Sequence, residues 1–185
     1  MRKLSAFTFI TLNGFYKGAG EDISWHRHGA EENEYAANSM EAESTLLFGR
    51  KTYEMMAGYW PTPMAKQNDP SVAEGMNNSA KIVFSQTLKK ADWKNTQVIG
   101  GNIVEEMKKL KKADGSNLTI LGSGSIVTSF AEHGLIDHYE IMIDPVALGS
   151  GTPIFHNLKN KLDLTLTASR VFKSGVILLS YVPLK

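Results

Sequence analysis

Cysteine is absent from this sequence, which excludes thiolate catalysis, iron–sulfur clusters and cysteine-built zinc sites. Long apolar runs are missing as well: nothing approaches the roughly 18 consecutive apolar residues that a membrane-spanning helix needs. Neither sign of charge dominates, since 20 Lys and Arg stand against 19 Asp and Glu for a formal charge of +1. Nucleic-acid binding leans on a basic face, and this balance offers no overall field for it. What is present is ordinary for a globular chain, with 42% hydrophobic and 21% charged residues, so disorder and fibre are both excluded. The 185 residues fit one α/β domain, 1–185, large enough to bury a core without disulfide or metal. No repeat or interdomain linker is visible, and the lack of cysteine fits a reducing cytoplasm.

Met1, Arg2 and Lys3 followed by an apolar stretch over 4–12 mimic a signal peptide, but Ser5, Thr8 and Thr11 interrupt it and no small-residue cleavage pattern follows. The stretch reads as a buried first strand. Asn13-Gly14 then supplies turn chemistry, with a loop as far as Trp25. A helix is expected over 30–43, a short buried strand over 45–48, and a helix over 52–59 stopped by Pro61 and Pro63. The segment 61–79 is polar and rich in Pro and Asn, a mobile loop with a short helix at 70–75 capped by Asp69. Strands follow at 81–85 and 97–99. Asn102 and Glu105 form a helix cap with a reciprocal acidic partner, and the next strand is 118–121. A helix over 125–133 closes at Gly134. Alternation marks strands over 139–143, 162–167 and 176–182, the last two joined by the Ser174-Gly175 turn. Strand–helix repeats finished by a hairpin predict a mainly parallel mixed sheet with an antiparallel edge, flanked by helices.

Open α/β sheets bind ligands where strands end and helices begin, because helix N-termini offer free N–H groups and partial positive charge. Two junctions have this form: Phe48-Gly49-Arg50-Lys51-Thr52, and Leu121-Gly122-Ser123-Gly124-Ser125. Either alone is as readily a structural turn. Together they could hold the pyrophosphate of a dinucleotide. The first is no P-loop and the second no complete G-x-G-x-x-G, since Val127 occupies the last glycine position.

The segment 46–54, Leu-Leu-Phe-Gly-Arg-Lys-Thr-Tyr-Glu, resembles the G-R-x-T-[WY]-E stretch of dihydrofolate reductases. Ile120 to Ser125 resembles that superfamily's later Gly-Gly segment. Gly134-Leu135-Ile136-Asp137-His138 and the run from Asp144-Pro145 to Ile154-Phe155 resemble the riboflavin-type reductase branch, as does Thr11-Leu12-Asn13-Gly14. The likeness spans most of the chain in order. It implies a three-layer dihydrofolate-reductase-like fold and an NADPH-dependent reductase acting on a pterin- or aminopyrimidine-like heterocycle, as a cytoplasmic homodimer. By that resemblance Gly49, Arg50, Lys51 and Thr52 contact the NADPH phosphates. Ser85, Gln86 and Thr87 lie beside the adenosine ribose. Gly122, Ser123, Gly124 and Ser125 pack against the pyrophosphate and nicotinamide ribose.

The sequence departs from the family at three places. Gln86 stands where an arginine usually grips the 2′-phosphate, which bears on NADPH against NADH. Asn13 replaces an aspartate. The aligned position of the folate enzyme's carboxylate falls on Asn33, flanked by Glu32 and Glu34; of these Glu34 becomes the expected acid, with Asn13 as its companion in the catalytic set. No zinc deaminase, the usual companion of the riboflavin reductase, is expected in a chain without cysteine. An NADP(H)-binding sensor or stress protein without turnover is the alternative, favoured by the missing carboxylates. His26-Arg27-His28 could begin a metal site, but without a third ligand nearby it reads as a hydrated loop, and no metal is expected. The Lys108–Lys112 basic run complements its helix dipole.

Overall fold

The computed structural model describes every residue except His28, Ala42, Glu43 and Lys185. Along the chain run β1 (Leu4–Thr11), β2 (Phe15–Gly18), a 3-10 turn (Ala19–Glu21), α1 (Ala30–Glu41), β3 (Ser44–Gly49), α2 (Arg50–Tyr59), α3 (Pro63–Asn68) and α4 (Pro70–Asn78). There follow β4 (Lys81–Phe84), β5 (Thr96–Ile99), α5 (Ile103–Lys112), β6 (Asn117–Leu121), α6 (Gly124–Glu132), β7 (His138–Asp144), β8 (Gly151–Pro153), β9 (Leu164–Val171) and β10 (Ile177–Pro183). Eight strands form one sheet in the order β5-β4-β3-β6-β1-β7-β10-β9. Every neighbouring pair from β5 to β7 is parallel, and β10 runs antiparallel to both β7 and β9. The mixed sheet with its C-terminal hairpin is the expected one.

Helices cover both faces, and strand alternation divides the core between them. Leu47 of β3 and Ile82 and Phe84 of β4 pack with Val104 and Met107 of α5 and Ile126, Val127 and Phe130 of α6. The intervening Leu46, Phe48 and Val83 face the other way, against Tyr53 of α2, Val72 and Met76 of α4, and Trp93. Buried on both sides, β3 and β4 need continuous apolar runs rather than alternation, which is why they are conspicuous in the sequence. Each buried Leu, Val or Phe contributes about 1.5–3 kcal/mol, so the shared β3–β4 centre is the natural anchor of both layers. Asn102 caps α5 through Oδ1, which accepts from Val104 and Glu105 N–H, but the Glu105 carboxylate pairs with Lys108 rather than returning to the cap.

The helix expected at 70–75 is present and extends to Asn78 as α4, and the rest of the expected loop holds a second helix, α3. Pro63 and Pro70 each begin one, at the position where a missing N–H costs nothing, and the Thr62 hydroxyl accepts from Ala65 N–H at 3.2 Å. Asp69 occupies the cap position of α4 without a side-chain cap bond, its carboxylate being taken by Asn33 of α1. A second sheet, β2 with β8, lies in what reads as loop. Gly151 permits it, since a Cβ there would meet Lys17 O at 2.4 Å.

Candidate functional site: the cleft at the sheet edge

β3 ends at Gly49 and β6 at Leu121, and α2 and α6 begin almost at once. The two strands pair in parallel, so both helix starts lie side by side at one edge of the sheet. Ser123 ties them together. Its Oγ accepts the Gly49 N–H at 2.8 Å and donates to Thr52 Oγ1 at 2.8 Å. Reaching that position takes two consecutive left-handed residues, Gly122 at φ 62° and Ser123 at φ 60°. The approach is close: a Cβ on Gly49 would stand 3.2 Å from Ser123 Oγ and 3.3 Å from Ile126 Cδ1. Ile126 and Val127 N–H both return to the Ser123 carbonyl. The amides of Gly124 and Ser125, one step earlier, lie before the first possible intrahelical acceptor. Two helix N-termini with amides of this kind form an anion-receptive edge.

A cleft of about 710 Å³ opens over this edge and is lined by residues of both junctions. Part of the lining is charged. Glu21 bridges Lys17 at 2.7 Å and Lys51 at 3.2 Å, and the hydrogen bond from Lys17 holds its carboxyl below the usual range. Arg50 pairs with Glu54 at 3.4 Å. The Tyr16 ring of β2 lies over Gly124, where an added Cβ would come within 2.6 Å of Cε1. The lining also includes the apolar side chains of Phe7, Phe9, Met56, Trp60, Val72 and Met142, the kind of wall that excludes water from a bound ring.

Of the residues expected from sequence, Gly49, Arg50, Lys51, Thr52, Gly122, Ser123, Gly124 and Ser125 all line this cleft. Ser85, Gln86 and Thr87 follow β4, whose Phe84 pairs with Gly49, and so reach the same edge. They do not line the cleft, and Ser85 Oγ closes a local turn by accepting from Thr87 and Leu88 N–H at 3.2 and 2.9 Å. Glu34 is exposed and is not part of the cleft wall. The carboxylate that α1 brings there is Glu32, accompanied by Asn33 and Ala36. Helix geometry is the reason: Glu32 and Ala36 share a face, and Glu34 sits about 200° from Glu32. Glu32 is buried and accepts from Ser174 Oγ. Asn13 also stands outside the cleft. Its amide clamps the turn after β1 to the loop after β7, accepting from Thr11 Oγ1 at 2.8 Å and donating to Leu148 O at 2.8 Å.

His26 corrects the hydrated-loop reading. It is buried, lines the cleft, bonds Asp144 Oδ2 through Nδ1 at 2.8 Å, and stacks on Phe9 at 3.8 Å and 5° between ring planes. Its sequence companion His28 falls outside the described residues. Among the described residues no cluster of three or more His, Asp or Glu could hold a metal ion. No helix among them is long and apolar enough to cross a membrane. Sequence reasoning passed over His26–Asp144, Tyr16 and Glu21. The signal for Asp144 was legible in β7, where it alternates onto the same face as Met142.

The mainly parallel sheet with its antiparallel C-terminal hairpin and flanking helices is the dihydrofolate-reductase-like fold. Residues 2–178 match the RibD C-terminal domain family, and the chain belongs to it. The uncharacterized protein YyaP of Bacillus subtilis (strain 168) is 30% identical over 172 residues, 93% of this chain and 90% of the relative. The crystal structure of a putative riboflavin biosynthesis protein from Shewanella sp. PV-4 superposes with a TM-score of 0.77 at 21% identity, covering 99% of each chain. Dihydrofolate reductase of Enterococcus faecalis, solved as a complex with NADP(H), superposes with a TM-score of 0.63 at 19% identity over 99% of this chain and 97% of that one.

Proposed function

We propose that this protein is an NADPH-dependent reductase that transfers hydride to a C=N or C=O bond of a planar, pterin- or aminopyrimidine-like heterocycle. The observation that carries the reading is Ser123, whose hydroxyl joins two helix starts beneath one cleft. A dinucleotide needs an anion site beside an apolar wall, and the cleft is lined by residues of both kinds. The residues present fit such a cofactor: the Gly124 and Ser125 amides lie before the first possible intrahelical acceptor, and Arg50 and Lys51 are cations lining the same cleft. Gly49, Arg50, Lys51 and Thr52 hold its phosphates, Ser85, Gln86 and Thr87 flank the adenosine ribose, and Gly122 to Ser125 take the pyrophosphate and nicotinamide ribose. A bound dihydronicotinamide supplies the hydride. The protein's own work is to orient the acceptor against it, exclude water with Phe9, Trp60 and Met142, and deliver a proton.

Thermal unfolding with and without nucleotide tests the cofactor. Ligand at 100 times its Kd adds about 2.7 kcal/mol, which for a chain of this size raises Tm by roughly 5–11 °C. Arg50→Ala removes a charge-assisted phosphate contact and weakens NADPH binding by about 10- to 150-fold, with unliganded stability within about 0.5 kcal/mol because the Arg50–Glu54 pair is exposed. A Tm unmoved by millimolar NADPH and NADH refutes the assignment. Binding without oxidation of NADPH by any pterin, pyrimidine or quinone makes the protein a nucleotide binder without turnover.

A further inference from the structure

Reduction of a C=N bond needs a proton as well as a hydride, and the structure assigns that proton to His26, with Asp144 as its positioning residue. The inference rests on the reductase reading above.

The cleft-facing carboxylates are already engaged. Glu21 is held by Lys17 and Lys51, Glu54 by Arg50, Asp69 by Asn33 and Glu32 by Ser174. Among the described residues His26 is the one imidazole in the cleft wall, and imidazole is the side chain suited both to giving and to taking a proton near neutral pH. Its surroundings fix the ring in three ways. Phe9 stacks flat on it, and Trp25 meets it edge-on at 6.2 Å. The Asp144 carboxylate, which is fully buried, binds Nδ1 with one oxygen and the Arg27 N–H with the other at 2.8 Å. A carboxylate held as acceptor on both oxygens settles the tautomer, with hydrogen on Nδ1. A hydrogen bond made away from water is also strengthened by the low local dielectric.

The chemistry follows from that placement. The two-electron reductant is a dihydronicotinamide. Its hydride forms a C–H bond at the acceptor carbon, and the C=N π pair moves onto nitrogen. That nitrogen takes the proton from the imidazolium Nε2–H, which breaks, while Nδ1–H remains on Asp144. The ring is left neutral and is recharged from water. The pair also satisfies the buried Asp144 carboxylate, so the readout that separates a proton donor from a structural partner is the proton count and the pH profile rather than stability.

The test uses the intact protein, NADPH, and two probes, 7,8-dihydropterin, whose N5=C6 bond is the acceptor read in turnover, and 5-aminouracil, which has no C=N bond and serves for binding alone. Calorimetry in two buffers of different ionisation enthalpy reads protons exchanged when either heterocycle joins the NADPH complex. The expected result is proton uptake in the parent, none in His26→Gln, and a loss of turnover of at least tenfold, within the ~10²–10⁴-fold range of a positioned acid, at unchanged NADPH affinity. Asp144→Asn is expected to shift the pH profile of turnover rather than KM, as a ring in the wrong tautomer does. Equal proton uptake in parent and His26→Gln overturns the assignment. So does a parent that binds NADPH but neither heterocycle. A parent that binds no NADPH overturns the reductase reading itself, and the assignment with it. Should His26→Gln not fold, ¹⁵N imidazole shifts of the parent decide the matter: a proton on Nδ1 and an Nε2 signal that moves with the heterocycle support it, and an Nε2 signal that does not move refutes it.

Discussion

Replacing Ser123 by alanine and by glycine separates two opposing energies at the same residue. The hydroxyl joins Gly49 N–H and Thr52 Oγ1, both at 2.8 Å, in a side chain that is only 7% exposed. Alanine leaves the Gly49 amide without its acceptor, which costs about 1–3 kcal/mol, and keeps the left-handed backbone at φ 60° and ψ 64°. Glycine loses the same hydroxyl but removes the strain of a Cβ in that region, about 1–2 kcal/mol. Ser123→Ala is therefore expected to be less stable than the parent by about 2 kcal/mol, and Ser123→Gly to recover about half of that. Urea unfolding resolves the difference, since Tm shifts of roughly 2–4 °C per kcal/mol accompany it in a chain of this length. Thr52→Val measures the second arm, and its combination with Ser123→Ala should cost less than the sum of the two. If Ser123→Ala lies within 0.5 kcal/mol of the parent, or the glycine variant is no more stable than the alanine one, the junction is not held by this hydroxyl.

Gly124→Ala drives a Cβ into the Tyr16 ring, 2.6 Å from Cε1, and is expected to destabilise by about 1–3 kcal/mol. In a Tyr16→Ala background the same change should cost less than about 0.5 kcal/mol, and an undiminished cost there would show that the ring is not the obstacle. Burial pushes the Lys81 ammonium down to about 8 from its ordinary value of 10.5, so between those values the unfolded chain binds the extra proton and stability rises with pH. The rise from pH 7.5 to 9.5 is expected to be about 2 kcal/mol, and Lys81→Met should flatten it. Above pH 10 the slope reverses, because burial raises Tyr35 and Tyr139, the latter to about 12. A parent curve that is flat or falling between pH 7.5 and 9.5 refutes the Lys81 account.

Local chemistry was legible in the sequence wherever one element decides its own structure. β3 and β4 announced themselves as apolar runs, Asn102 as a cap, and Gly134, at φ 60°, as a helix end. Within 61–79 Pro70 was legible as the first residue of α4, whereas Pro63 was read as stopping α2 and in fact begins α3. The apolar residues that identify those helices, Ala65, Val72, Ala73 and Met76, are buried but too widely spread among polar ones to dominate a window. β2 and β8 are four and three residues long and exist only through pairing across more than 130 positions, which no local pattern encodes.

The same distinction runs through the site. Gly49 to Thr52 and Gly122 to Ser125 were recognisable because a strand that ends in glycine before a helix is a local signature. Their joining by one hydroxyl was not, since it depends on β3 and β6 being neighbours in the sheet. Which carboxylate of α1 lines the cleft was hidden for a related reason. Counting positions along α1 selects Glu34, but a helix presents residues by angle, and the face turned to the cleft carries Glu32, Asn33 and Ala36. His26 was harder still. Its burial depends on Asp144, 118 residues away, and on Phe9 of β1, which pairs with Met142 of β7 and so stands two residues along the register from the carboxylate. A histidine in a polar stretch is a surface residue until the sheet order brings an aspartate and an aromatic ring to meet it. The sheet therefore does more than carry the two strand–helix junctions: by placing β7 beside β1 it brings Asp144 to the His26 that lines the same cleft.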